Sequence, residues 1–131
     1  MGQSQSSMRT PLGRVRGLGS AKSGTGHFWL QRVTAVANVI LTIGFLCVVL
    51  TLIGKPYGTA IATLAKPQVA ILMLLFVVSG AVHMRIGMQV IIEDYVHHEI
   101  LKILAVMANT FFAIAVGAAC AFALLKISFG G

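Results

Sequence analysis

The chain has 131 residues, a length that fits one domain. Hydrophobic residues make up 57% and charged residues 10%, against roughly 25% charged in a soluble domain, so lipid rather than water is expected around most of the surface. The net charge is +7, and Arg9, Arg14, Arg16, Lys22 and Arg32 supply half of the ten basic residues within the first quarter of the chain. Beside long apolar segments, such a cluster reads as a topology signal or a contact with anionic lipid rather than as a nucleic-acid site.

Residues 1–26 are rich in Ser, Gly and basic residues and are expected to be a disordered cytoplasmic tail. A secretory signal peptide does not fit, because the first apolar segment starts late, runs long and has no small-residue cleavage site after it. Residues 27–131 are expected to form one membrane domain of three helices, at about 33–53, 68–92 and 100–127. Each is long enough to span a bilayer, which takes roughly 20 helical residues. Helices are required because lipid offers the backbone no hydrogen-bond partners.

The first connection, "GKPYGTAIATLAKP", holds two Lys-Pro pairs and two glycines, so a punctuated loop is expected there. The second, residues 93–99, is so short that the helices on either side must form an antiparallel hairpin. Five basic residues precede the first span and only Lys55 and Lys66 lie in the next loop. The positive-inside rule then places the N terminus in the cytoplasm, the 93–99 turn on the same side and the C terminus opposite. Phe28 and Trp29 fall where an aromatic belt belongs. Cys47 and Cys120 lie in apolar runs and read as free thiols.

The second span carries the ionisable groups. At 100° per residue, Ser79, Gly80, Gly87, Val90 and Asp94 share a face with His83. The small neighbours admit something bulky beside the imidazole, either another helix backbone or a flat cofactor. An ionisable residue inside a membrane is a functional hypothesis in its own right, and imidazole is a standard haem ligand. Asp94 follows His83 by eleven residues, nearly three turns or about 16 Å. That spacing sets His83 at depth and Asp94 at the cytoplasmic interface. Arg85 points away from His83, free to snorkel, to pair with a partner's acid or to meet a haem propionate. Thr34, Asn38 and Thr42 form a polar stripe on the first span, and Ala113, Gly117 and Ala121 a small-residue seam on the third; both patterns serve helix packing in membranes. No nucleotide loop, zinc cluster or hydrolytic triad is visible.

The pattern H-x3-G-x6-D-Y-V-H, at His83, Gly87, Asp94, Tyr95, Val96 and His97, closely resembles the hydrophobic membrane anchor subunits, of D type, of succinate dehydrogenase, respiratory complex II. Arg32 to Ala35, "RVTA", and the order of tail, three helices and short hairpin resemble that family too. The resemblance implies an all-α, three-span anchor within a haem-binding bundle. This chain would be a subunit of a succinate:quinone oxidoreductase and hold no complete active site or catalytic residue of its own. It implies His83 as an axial ligand of haem b, shared with a companion membrane anchor of C type, and Tyr95 and Asp94 as the ubiquinone-site pair, the aspartate supporting proton delivery. Arg32 would lie near the haem propionates and the quinone, with Arg85, Ser79 and Gly87 as further propionate or packing positions. An iron-sulfur subunit, a flavoprotein subunit and the lipid bilayer are the remaining implied partners, in a bacterial or mitochondrial inner membrane. Glu93, His97 and His98 receive no role beyond proton access or docking. Two readings stand beside this one: a fumarate reductase anchor, and a redox-inert membrane transporter or assembly protein.

Overall fold

The computed structural model describes residues 10–12 and 24–130. The expected tail, residues 1–26, lies mostly outside the described residues. Among the described residues from Gly24 onward, four helices follow in chain order: α1 (Gly24–Leu52), α2 (Tyr57–Leu64), α3 (Pro67–Tyr95) and α4 (Glu99–Ser128). Three of them, α1, α3 and α4, are long and apolar enough to cross a membrane. The chain is therefore an all-α, multi-pass membrane protein.

The helix ends differ from the apolar segments. α1 begins at Gly24, nine residues before the expected start at Val33. Hydropathy marks where lipid lies, whereas a helix continues as long as its backbone bonds can be made, and no proline occurs between Gly24 and Lys55. α1 stops at Leu52, and the turn after it runs through Gly54, whose φ of +70° is a conformation that glycine adopts without strain. The expected loop after it contains the short helix α2. Pro56 sits just outside its first turn, where a missing N–H costs nothing, so a proline expected to punctuate a loop starts a helix instead.

Pro67 likewise opens α3. α3 continues three residues beyond the expected Ile92, carrying Asp94 and Tyr95 in its last turn rather than in the loop. Gln89 Nε2 donates to Glu93 Oε1 over 2.8 Å, bracing that turn. Only residues 96–98 then separate α3 from α4, so the antiparallel hairpin is tighter than expected. α4 carries Glu99 in its first turn and Lys126 in its last, both matched to the helix dipole.

α3 is the central element. It packs along α1 on one side and α4 on the other, while α1 and α4 barely touch; α2 rests on α3 and α4. The α1–α3 contact is close at depth: the Phe45 and Phe76 rings stack at 4.7 Å. A Cβ on Gly44 would come within 2.7 Å of Leu72 Cδ1. The α3–α4 contact uses the expected small-residue seam. Ala113 is buried, and a Cβ on Gly117 would lie 3.3 Å from the Cβ of Ala81. Ile86 and Ala113, each 3% exposed, are the buried apolar residues among those described. Most large apolar side chains face outward.

Candidate functional site

Antiparallel packing of α1 on α3 fixes what surrounds His83. Thr34 Oγ1 lies 2.8 Å from the Leu30 carbonyl one turn back and 3.1 Å from His83 Nδ1. The hydroxyl has one proton, and the shorter contact to Leu30 takes it. With the proton there, the hydroxyl oxygen can accept from His83 Nδ1–H, the tautomer in which Nε2 carries the lone pair. Ser79 Oγ donates to the Thr34 carbonyl at 3.5 Å. Thr34 is 7% exposed, the most buried polar side chain of the site. A threonine in this setting locks the imidazole plane, because its own hydroxyl is already anchored to its helix.

His83 opens into a groove of about 300 Å³ formed with Phe28, Gln31, Arg32 and Ala35. The Arg32 guanidinium lies 4.2 Å from the centroid of the Phe28 ring, a cation–π contact that holds the cation at the groove. Phe28 is in turn braced edge-on by Trp29, with ring centroids 5.9 Å apart. The His83 imidazole and the exposed Arg32 guanidinium therefore line one space.

The residues singled out in the sequence divide into three groups. His83, Ser79 and Gly87 share the face turned to α1, as the helical spacing required. Ser79 bonds to α1, and Gln31 Nε2 lies 4.0 Å from a Cβ built on Gly87. α1 packs its backbone against that face at Ser79. Arg32 joins His83 at the groove. Asp94 and Tyr95 stand apart at the end of α3, exposed, with Tyr95 at 78%. Arg85 faces the opposite side, bordering a groove between α3 and α4, and its carbonyl accepts from Asn109 Nδ2 at 2.9 Å.

Three participants were missed as such in the sequence. Thr34 was placed in a packing stripe without its pairing to His83, and Gln31 and Phe28 were not singled out for the groove. A helical wheel of α1 puts Gln31, Thr34, Ala35 and Asn38 on one face, but the register that opposes them to His83 spans 49 residues. Of the stripe, Thr34 bonds across to α3, whereas the buried Asn38 Oδ1 has no partner among the described residues.

Three long apolar helices, with a half-buried imidazole at the contact of α1 and α3, define a multi-pass membrane protein. The chain belongs to the succinate dehydrogenase/fumarate reductase transmembrane subunit family, whose profile matches residues 6–124. It is 37% identical over 121 residues to the succinate dehydrogenase hydrophobic membrane anchor subunit of Paracoccus denitrificans, covering 92% of this chain and 93% of that protein. The same-named subunit of Rickettsia bellii is 33% identical over 106 residues, covering 81% and 85%. No solved structure gives a significant match.

Proposed function

We propose that this chain anchors a succinate dehydrogenase in the membrane, ligates haem b together with a second membrane subunit, and forms part of the ubiquinone-reduction site. The observation that carries this reading is the His83–Thr34 contact. It presents one nitrogen lone pair, in a fixed plane, to a groove that also holds a cation. That donor set fits a haem: His83 Nε2 would hold the iron and Arg32 would neutralise a propionate. The haem would supply a one-electron redox centre inside the bilayer.

The chain's own contributions are binding and proton supply. Tyr95 offers a phenol O–H to a quinone carbonyl at the helix end, and Asp94 beside it offers a carboxyl that can take a proton from water and pass it on. Quinone enters from lipid but needs protons on reduction, so a site on the last turn of a spanning helix meets both demands. Electrons would arrive from the iron-sulfur subunit, itself fed by the flavoprotein subunit. The named relatives favour succinate dehydrogenase over a fumarate reductase anchor.

The test is the reduced-minus-oxidised spectrum of the purified complex, which should show a low-spin b-type haem; its absence would favour the redox-inert reading. Thr34→Val keeps the shape and removes the hydroxyl, leaving Nδ1–H without its acceptor. The haem-to-protein ratio is expected to fall about tenfold, the usual effect of losing a partner behind a metal ligand. An unchanged ratio would remove Thr34 from the site.

Sidedness is the second test. With the basic residues before the first span on the cytoplasmic or matrix side, a cysteine at His98 should react with an impermeant thiol reagent only from that side. A cysteine at Tyr57 should react only from the other. The reverse pattern would put Asp94 and Tyr95 out of reach of soluble subunits that donate electrons from the cytoplasm or matrix.

A further inference from the structure

We infer that the groove between α3 and α4 seats a transmembrane helix of the second membrane subunit, through a carboxylate at bilayer depth that pairs with Arg85. The inference rests on the reading above, in which such a subunit exists, and adds where it docks and by what chemistry.

Arg85 carries the argument. An arginine is not deprotonated in proteins, so the side chain brings a full positive charge into the span. Its Nε is buried with no hydrogen-bond partner among the described residues, while the side chain as a whole is partly exposed at the groove. The chain's three acids, Glu93, Asp94 and Glu99, all lie at the α3–α4 turn. The closest of them in sequence is eight residues on, about 12 Å along the axis. Glu93 already accepts from Gln89. A second copy in the same orientation would bring its acids to that same level, so it cannot supply the missing charge.

Two other anions are disfavoured by position. Arg85 lies ten residues before the end of α3, about 15 Å below it. Helical side chains lean toward the N terminus of their helix, which for α3 is the far face of the membrane. Arg85 therefore leans away from the nearer headgroups, and a lipid phosphate does not reach it. Water is remote for the same reason. A haem propionate belongs with His83 and Arg32, which open to the α1 side of α3.

The groove suits a helix bearing one acid. It holds about 200 Å³, with Ala81, Ala113 and Gly117 giving room for close approach and Val78, Val82 and Ile114 giving apolar walls. An arginine fork at one end then selects a carboxylate, which it can bind through two parallel hydrogen bonds. Apolar contact supplies fit, and the charge pair fixes register.

The experiment uses the whole complex in native membranes. A benzophenone amino acid at Ile114, exposed at the groove rim, should on illumination form an adduct with the second membrane subunit. Arg85→Met should lower co-purification of that subunit by about tenfold or more, because one buried charge loses its partner. Arg85→Lys should recover most of it by restoring the charge. Adducts with lipid only, or full retention of the subunit in Arg85→Met, would overturn the pairing. His83→Ala separates the two readings. If it lowers haem content while Arg85→Met keeps the subunit, the anchor reading stands and the pairing fails. If neither variant has an effect, both fail.

Discussion

Replacing His83 by alanine is expected to strip most of the haem from the assembled complex while the three spans remain inserted. The other histidines, His27, His97 and His98, lie in the first turn of α1 and in the α3–α4 turn. None can substitute at depth. Loss of a ligand exceeds the roughly 10- to 100-fold effect of losing a residue behind one, so less than about a tenth of the haem should survive purification. The cost to the fold is small by comparison. Thr34 keeps its bond to the Leu30 carbonyl, so no buried hydroxyl is orphaned. Phe45 on Phe76, and Ser79 on the Thr34 carbonyl, still join α1 to α3. Haem content and the low-spin spectrum are the measurements. Wild-type values for both would dismiss His83 as a ligand.

Tyr95→Phe should separate two activities that normally run together. The side chain is 78% exposed and makes no contact that holds the fold, so removing one oxygen leaves the chain intact. A hydrogen bond to a neutral quinone carbonyl contributes about 0.5–1.5 kcal/mol. The contribution roughly doubles as the oxygen gains negative charge during reduction. Succinate-dependent quinone reduction is therefore expected to fall at least about threefold. Succinate oxidation with a soluble artificial acceptor needs only the flavin and iron-sulfur subunits and should stay near wild type. Asp94→Asn should show the same split, since the amide cannot take up and release a proton. The ratio of the two activities is the readout. A parallel fall in both would assign the pair to assembly, and no fall in either would move the quinone site elsewhere.

The three spans were legible because the same apolar composition that lipid demands also gives the length of each segment. The helix ends were not, because hydropathy falls at the headgroups while backbone hydrogen bonding goes on. Asp94 and Tyr95 show the consequence: counted as loop by composition, they ride on the last turn of α3 and inherit its direction. α2 was hidden because a proline reads as a breaker until its position relative to the first turn is known. The face carrying His83, Ser79 and Gly87 followed from helical geometry alone, as did the opposite heading of Arg85. What opposes His83 did not follow. Thr34 could be placed on a stripe, but the pairing of two helices is decided by interlocking shapes such as Gly44 under Leu72, which no single helix displays.

The arrangement of α1 and α4 on either side of α3, with scarcely any contact between them, bears on what stability means for this chain. A globular domain has an interior to lose, and heating it reports the loss. Here almost every large side chain is waiting for lipid or for another polypeptide, and the helices hold themselves together through their own backbones. Heating the isolated chain in detergent would part helices without melting them, and would say little about its life in the membrane. The meaningful quantity is how long the assembled complex lasts before its subunits separate, so the abundance of this chain in a cell should track the supply of its companions rather than its own rate of synthesis.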